Sequence, residues 1–343
     1  MLDYVKLKAT FCATTDVTLT DCKGSTLRGM FKTALKRVCC PYSSTQCSNC
    51  TRAQECAYGL ITEHRTKTGE NTVLPYAINC STLKPNAYSK DEELSFDLVL
   101  VGRAIAYLPH IIASLSAWDL LDVGRFQPLI RQWEIERYGP PSRWSGKIRP
   151  KGRLRLEKVE QVSGDGIHPL YGARRPFKMP VVDTLSCEPG IDDGKWRVKL
   201  NFLAPTRITR RVVDEDGKKK KKKLIQPGDM DFHLFFNSIR TRFYGLCVHF
   251  GNENVIPPGE TLEDAESLVK AVIVSENGLK MEKIRRYRGN MTKWTHLDGF
   301  VGPVTLENIP GSLIPWILAG ELLHIGRFPT LGYGEYRAEY IRC

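Results

Sequence analysis

The sequence predicts an α+β protein built from two tandem ferredoxin-like (RRM-like, βαββαβ) domains. Two halves of the chain show the same order of apolar patterns, and a segment rich in proline and glycine separates them. The length of 343 residues also suits two domains. A split strand–helix–strand unit used twice gives an antiparallel sheet with helices on one face. We therefore expect one domain over residues 1–165, a linker over 166–194 and a second domain over 195–343.

The first half begins with a strand at residues 4–13, where apolar and polar residues alternate. A helix then opens at Gly24, because Leu27, Phe31 and Leu35 recur at helical spacing. After a cysteine-rich insertion over 39–56, the remaining patterns predict strands, a buried helix and a closing strand at 73–78, 94–101, 105–121 and 153–159.

The second half repeats this order. It predicts a strand at 196–202, a long amphipathic helix at 230–250, strands at 269–274 and 300–306, an apolar helix at 313–323 and a last strand at 336–341. In such a domain one sheet face lies free of helices, and single-stranded RNA commonly binds there.

The composition favours a folded protein that binds a polyanion. With 42% hydrophobic and 26% charged residues, wholesale disorder, collagen-like repetition and a disulfide miniprotein are excluded. The net charge is +12, of which the run Lys218–Lys223 contributes six. We expect that run to form a solvated loop that adds nonspecific affinity for RNA. The remaining excess of basic residues is spread along the chain, so nucleic acid is the first partner to consider.

The sequence predicts a cytoplasmic protein without a membrane partner. Its first residues do not show the pattern of a secretory signal, and the longest apolar stretch, 104–121, is interrupted by Pro109, His110 and Asp119. In a reducing compartment the 11 cysteines point to a metal site more than to disulfides.

Four cysteines form a candidate metal site: Cys39, Cys47, Cys50 and Cys56. Their spacing allows four thiolates to reach one tetrahedron, which favours a structural zinc ion. An iron–sulfur cluster uses the same number and type of ligands and is the alternative metal centre. Buried or free thiols are the third possibility. We choose Cys39 over Cys40 because it directly follows the predicted helix.

A glycine-rich loop over 326–334 lies between the last helix and the last strand. Its candidate RNA-binding residues are Gly326, Arg327, Gly332 and Gly334. Glycines allow backbone amides to approach a phosphodiester closely. The alternative is a tight turn that packs against the sheet. The loop is not a nucleotide-binding P-loop, because the Lys-Ser/Thr ending is missing.

A basic segment precedes the predicted strand at 300–306. Its cations are Arg285, Arg286, Arg288 and Lys293, interleaved with Tyr287 and Trp294. Cations can meet phosphates while rings stack on bases. The alternative is a solvated hairpin.

Several segments together resemble the CRISPR repeat-RNA-processing endoribonucleases of the RAMP superfamily, and the cysteine-containing branch most of all. They are residues 27–29, the cysteine knuckle running into 56–58, and the segments 94–104, 298–302 and 324–337. The resemblance covers nearly the whole chain in the right order.

This resemblance implies cleavage of precursor CRISPR RNA within its repeats to give mature guide RNAs, in the cytoplasm of a prokaryote. The 2′-hydroxyl upstream of the scissile phosphate attacks, leaving a 2′,3′-cyclic phosphate, without a catalytic metal ion. Expected partners are repeat RNA and other subunits of a CRISPR effector complex. The alternative is a non-catalytic RAMP subunit of an interference complex that holds the guide-RNA handle. A generic zinc-containing nucleic-acid-binding protein is a further alternative.

Three histidines are candidates for the general acid or base. His64 follows the first helix, where family members often carry theirs, and has Arg65 and Lys67 beside it. His324 stands at the start of the glycine-rich loop, and His296 lies beside the basic segment. For each of them, a surface or structural role is the alternative.

Overall fold

The computed structural model describes residues 1–42, 47–53, 55–64, 72–83, 86–121, 123, 151–172, 177–187, 194–213, 220–251, 267–288 and 293–342. The chain divides into two compact units. One contains residues 3–183 and 287–294, and the other contains residues 1–2, 184–286 and 295–343. The division at residues 183 and 184 lies within the segment expected to be the linker.

The strands of the N-terminal half are β1 (Leu2–Ala13), β2 (Val17–Thr18), β3 (Tyr76–Asn79), β4 (Ala87–Tyr88), β5 (Glu93–Val101), β6 (Leu154–Ser163), β7 (Gly166–Gly172) and β8 (Asp183–Leu185). Its α-helices are α1 (Lys23–Cys39), α2 (Ala57–Thr62) and α3 (Leu108–Ser116). Short 3₁₀ helices lie at Cys47–Asn49, Gly102–Tyr107 and Ala117–Leu120.

The strands of the C-terminal half are β9 (Lys195–Thr206), β10 (Thr209–Val213), β11 (Lys220–Leu224), β12 (Ile273–Asn277), β13 (Lys280–Glu282), β14 (Arg285–Arg288), β15 (Lys293–His296), β16 (Gly299–Pro310) and β17 (Tyr336–Arg342). Its α-helices are α4 (Phe232–Phe250) and α5 (Ile314–Leu323). Further 3₁₀ helices lie at Pro227–Asp229, Gly311–Leu313 and Pro329–Leu331.

The N-terminal sheet has the ferredoxin-like order, with β1 between β5 and β6 and with β3 beyond β5. All of these neighbours are antiparallel. The buried face carries a stack of Phe11, Phe96 and Trp118, whose ring centroids lie 4.7–5.8 Å apart. Helix α1 buries Leu27, Phe31 and the other members of its apolar stripe against this core.

The C-terminal sheet repeats the arrangement, in the order β12-β16-β9-β17 with antiparallel neighbours. Its core contains Phe202, Phe235, Phe300 and Tyr336, all buried. The Tyr336 hydroxyl donates a 2.5 Å hydrogen bond to the Ile317 carbonyl, which ties β17 to α5. The predicted α+β architecture of two ferredoxin-like domains is therefore confirmed.

Some segments differ from the sequence-based expectation. The strand expected at 269–274 begins only at Ile273, because residues 267–270 form a helical turn. Residues 166–172, assigned to the linker, form β7 at the edge of the first sheet. Pro169 and two glycines obscured the strand pattern, but an edge strand accepts proline. The lysine run, expected as a solvated loop, contributes Lys220–Leu224 to a hairpin with β10. Lysine has low β-propensity, but pairing with β10 satisfies the backbone of this segment.

Within the described residues, no helix is long and apolar enough to cross a lipid bilayer.

Candidate functional site

The polar side of α1 carries three cations, Arg28, Lys32 and Lys36, which we call the α1 cationic face. They are spaced four residues apart, so they lie along one side of the helix. The ring of Tyr58, from α2, lies beside them, with Lys32 Nζ 6.0 Å and Lys36 Nζ 5.8 Å from its centroid. Cations at this distance are attracted to the ring, so Tyr58 helps to fix the two ammonium groups.

Glu63, just after α2, is the acidic partner of this cluster. Its Oε1 atom forms an ion pair with Lys32 Nζ and accepts a 3.3 Å hydrogen bond from the Tyr58 hydroxyl. Burial lowers the pKa of Lys32, and the Glu63 carboxylate opposes this effect. Burial, followed by the Glu63 charge, raises the pKa of Tyr58, so this hydroxyl remains a donor.

Arg28 extends the cluster toward the start of α1. Its Nε atom is buried and has no hydrogen-bond partner among the described residues. A buried donor without a partner is uncommon in proteins and needs an explanation. An oxygen-rich anion at this position would supply the missing acceptor.

His64 directly follows Glu63 and is partly exposed. Its Nδ1 atom lies 2.8 Å from Thr72 Oγ1, a hydrogen bond that orients the ring. The predicted neighbours Arg65 and Lys67 lie outside the described residues. In the described part of the site, His64 is therefore the neighbour in sequence of Glu63, which forms the ion pair with α1.

The four candidate metal ligands lie at the junction of α1 and α2. Cys39 is the last residue of α1, Cys56 precedes α2, and Cys47 and Cys50 lie in the intervening loop. Burial raises the pKa of Cys39 to about 11, and the neighbouring Cys56 and Cys40 act in the same direction. None of these four cysteines forms a disulfide. Within that part, no group of three or more histidine, cysteine or acidic side chains is arranged to hold a metal ion.

The glycine-rich loop has most of its backbone groups bonded within its own domain. The Gly326 amide donates to Ser238 Oγ at 2.8 Å, and the Arg327 amide donates to the Arg207 carbonyl at 2.9 Å. The Gly334 amide donates to the Pro205 carbonyl at 3.1 Å. Gly326, Gly332 and Gly334 all have positive φ, and residues 329–336 are buried. This geometry is that of the tight turn, one of the two alternatives that the sequence left open.

The loop exposes two cations, Arg327 and Arg337. The Arg327 guanidinium lies 5.6 Å from the Phe328 ring centroid. Arg337 pairs with Glu321 at 3.0 Å, so part of its charge is already neutralised.

His324 is fully buried at the end of α5. Its Nδ1 atom lies 3.0 Å from the Tyr333 carbonyl, which links the two ends of the glycine-rich loop. Its φ of 62° and ψ of 157° fall in a region that glycine almost alone adopts. Arg242 supports the same corner, because its Nε donates a 2.6 Å hydrogen bond to the Leu323 carbonyl. Arg242 was missed from the sequence, since a lone arginine inside an amphipathic helix carries no recognisable signal.

The basic segment forms the hairpin of β14 and β15. The side chains of Arg285, Arg286, Arg288 and Lys293 lie outside the described part of the structure. His296 ends this hairpin with its side chain 61% exposed, and its Nδ1 lies 3.9 Å from Asp298 Oδ1. His296 is thus accessible to a ligand, whereas His324 is not.

The helix-free face of the C-terminal sheet carries charges of both signs. Arg197 pairs with Glu307 at 3.4 Å and with Glu276 at 3.7 Å. The Thr305 hydroxyl donates to Glu276 at 2.9 Å. These carboxylates pair with Arg197, so part of the positive charge of this face is already neutralised.

The grouping of Lys32, Lys36, Tyr58 and Glu63 was missed from the sequence. Helical spacing assigns the basic residues of α1 only to the solvent-facing side of the helix. Their spacing of four was the available signal, but nothing in the sequence showed that α2 would pack against them.

Two tandem ferredoxin-like domains, a cationic face on the first helix and a glycine-rich turn before the last strand define a RAMP-like protein. Residues 2–180 match a family model described as an N-terminal domain, which covers more than half of the chain. Residues 200–336 match the family model of the CRISPR-associated endoribonuclease Cas6. The chain belongs to the family that this N-terminal domain model defines, and its residues 200–336 are similar to the Cas6 endoribonucleases.

Solved structures share the fold at low sequence identity. A partial Cas6-RT-Cas1–Cas2 complex aligns with a TM-score of 0.55 and 10% identity over 99% of this chain and 46% of that chain. A Cas6 product complex aligns with a TM-score of 0.54 and 14% identity over 98% of this chain and 100% of that chain. Thermus thermophilus Cas6 aligns with a TM-score of 0.50 and 13% identity over 99% of each chain. The chain thus spans less than half the length of the first of these. No curated protein sequence matches it significantly.

Proposed function

We propose that this protein is an endoribonuclease that cleaves precursor CRISPR RNA within its repeats to release mature guide RNAs. The match of residues 200–336 to the Cas6 endoribonuclease family carries the proposal. The net charge of +12 and the α1 cationic face support a polyanionic substrate. A solved structure with the same fold is described as a Cas6 product complex, and we take the RNA processed by Cas6 endoribonucleases as the substrate class.

The reaction we propose is attack by the 2′-hydroxyl on the adjacent phosphate, which gives a 2′,3′-cyclic phosphate and a 5′-hydroxyl. One group must take the proton of the 2′-hydroxyl, another must protonate the leaving oxygen, and cations must stabilise the charge of the phosphorane. In the proposed reaction, side chains of the protein meet these requirements without a catalytic metal ion.

We assign one of these two proton transfers, as general acid or base, to His64 and the charge stabilisation to Lys32 and Arg28. His64 is partly exposed and oriented by Thr72. Lys32 lies close to it in the fold, because its partner Glu63 is the residue before His64. His324 fits this role less well, because a fully buried ring cannot reach a phosphodiester. His296, beside the basic hairpin, is better suited to contact the RNA.

A structural zinc ion bound by Cys39, Cys47, Cys50 and Cys56 is part of the proposal. The spacing of the four cysteines in the sequence supports this part of the proposal. Because Cys39 ends α1 and Cys56 precedes α2, such a site would fix the two helices that carry Lys32 and Tyr58.

Metal content tests the zinc site. We expect about one zinc per chain, lost in Cys50→Ser and kept in the control Cys12→Ser. Visible absorbance with bound iron would indicate the iron–sulfur alternative, and a metal-free wild-type protein would rule out both.

The function is tested by incubating the protein with labelled repeat RNA in EDTA. We expect a single cut with a cyclic-phosphate end, and no cut when the nucleotide before the scissile phosphate lacks its 2′-hydroxyl. Tight binding of repeat RNA without any cut would indicate the non-catalytic subunit. Equal binding of unrelated RNA of the same length would indicate a generic nucleic-acid-binding protein.

A further inference from the structure

We propose that Glu63 is an internal substitute for a phosphate group: it occupies the α1 cationic face in the free protein and is displaced by a phosphodiester of the bound RNA. The proposal deepens the proposed function, since it takes RNA as the ligand of this face. It adds a specific binding subsite and a residue that controls access to it.

The geometry around Glu63 is the first argument. Lys32 Nζ and the Tyr58 hydroxyl both donate to the same atom, Glu63 Oε1. A cation and a hydroxyl that converge on one anionic oxygen can also bind a non-bridging oxygen of a phosphodiester, which has similar charge and hydrogen-bonding capacity. The carboxylate thus shows where a phosphate oxygen would lie.

The charge balance is the second argument. Of the three cations of the α1 cationic face, Lys32 pairs with the Glu63 carboxylate, and no ion pair joins Arg28 or Lys36 to a carboxylate of the described residues. The Nε atom of Arg28 is buried there, and none of the described residues provides it with a hydrogen-bond acceptor. The face therefore has capacity for more negative charge than Glu63 supplies.

Burial of Lys32 is the third argument. Its side chain is only 27% exposed, and a partly buried ammonium group without an anion is costly. Some anion must therefore accompany Lys32 at each stage. Glu63 supplies it before RNA binds, and the phosphodiester supplies it afterwards.

Glu63 is able to leave this position without disruption of the helix. Its backbone N–H closes α2 on the Gly59 carbonyl at 3.0 Å, while its side chain is 30% exposed. A side-chain rotation is sufficient to move the carboxylate toward solvent. Because His64 is the next residue, this exchange takes place beside the proposed proton-transfer group.

The test is the affinity of Glu63→Gln for repeat RNA that cannot be cut because it lacks the attacking 2′-hydroxyl. Glutamine keeps the size of the side chain and an acceptor for Tyr58 but removes the competing charge. We expect binding to tighten about 2- to 5-fold, the range that loss of one surface ion pair allows. The slope of log K against log salt should also steepen by about 0.7, because in the wild type the displaced Glu63 carboxylate takes up a counterion that offsets one of those released from the single strand.

Glu160→Gln is the matched control, because it also removes one carboxylate paired with a lysine, Lys158, at 3.0 Å. We expect this variant to bind RNA like the wild type. In a Lys32→Met background, Glu63→Gln should no longer tighten binding, since the cation that it liberates is gone. Melting temperatures of all four variants identify any loss of folding.

Equal affinities and salt slopes for Glu63→Gln and Glu160→Gln would overturn the proposal. Weaker binding by a stably folded Glu63→Gln would also overturn it and would make Glu63 a positioning residue for Lys32. Because the RNA in this experiment is not cleavable, the outcome is independent of catalysis. Cleavage of ordinary repeat RNA by the wild type tests the proposed function separately.

Discussion

The α1 cationic face and the glycine-rich loop use their polar groups in opposite ways. In the loop, the amides of Gly326, Arg327 and Gly334 all donate to oxygens of the same domain. On α1, one of three cations, Lys32, pairs with a carboxylate, and Arg28 Nε has no acceptor among the described residues. Both regions are rich in groups that could contact phosphate, but the structure shows that these groups differ in how far they are already bonded within the protein.

The difference shows that residue type alone does not identify a ligand site. Glycines and arginines in a loop resemble a phosphate-binding element, but donors already satisfied within the protein have no capacity left for a ligand. Cations held together with too little negative charge do have that capacity. We therefore place the chemistry at α1 and α2 and give the loop the role of shaping the C-terminal domain.

Substitution of His64 and of His324 should give the largest difference in cleavage rate between the α1 region and the glycine-rich loop. We expect His64→Ala to slow cleavage of repeat RNA by about 10²- to 10⁴-fold, the contribution typical of general acid–base catalysis, with RNA affinity retained. His324→Ala should lower the melting temperature, because it removes the link to Tyr333, and should leave the rate per folded molecule close to that of the wild type. Single-turnover cleavage measures both.

His296→Ala is the control for an exposed histidine outside α1 and α2. It should alter RNA affinity more than the cleavage rate. A normal rate for His64→Ala together with a large loss of rate for a folded His324→Ala would reverse the assignment and move the active site to the loop.

Gly326→Ala should show the structural role of the loop. At this position φ is +72°, and a Cβ atom would lie 2.6 Å from the Arg207 carbonyl oxygen. The left-handed conformation alone costs an alanine about 1–2 kcal/mol, and the clash adds to this. We expect a loss of about 2–4 kcal/mol in the free energy of unfolding, measured with denaturant.

Gly228→Ala is the matched control, because no atom of the described residues lies within 4 Å of the position that its Cβ would take. It should change stability by less than about 0.5 kcal/mol. A Gly326→Ala protein with unchanged stability but weakened RNA binding would show that the loop backbone contacts the ligand after all.

Most of the fold was predictable because the patterns that specify it are local. Alternation in β1 and helical spacing in α1 and α5 follow directly from which residues are buried. Strands β7 and β11 were missed, since proline, glycine and lysine oppose strand formation locally. Their pairing partners supply the backbone hydrogen bonds that override those preferences.

Less of the site was predictable, because it depends on contacts between distant segments. The family resemblance suggested His64 as a candidate from its place after the first helix, but the pairing of Lys32 with Glu63 spans 31 positions of sequence. Likewise, Arg242 supports the loop through a contact that spans 81 positions. Sequence patterns report which residues face inward, and they do not report which inward-facing elements meet.

The smallest effect in this comparison should come from the two exposed arginines of the loop. If the loop contacts RNA, we expect its exposed side chains to do so, because most of its amides are already bonded within the domain. We expect Arg327→Gln to reduce the slope of log K against log salt by about 0.7, which is about a 2- to 3-fold effect between about 50 and 200 mM salt. Arg337→Gln should have less effect, because Glu321 already neutralises part of its charge. Melting temperatures should stay unchanged for both. A slope unaltered by Arg327→Gln would leave the loop with a purely structural role and would assign all phosphate contacts to other cationic surfaces, the α1 cationic face among them.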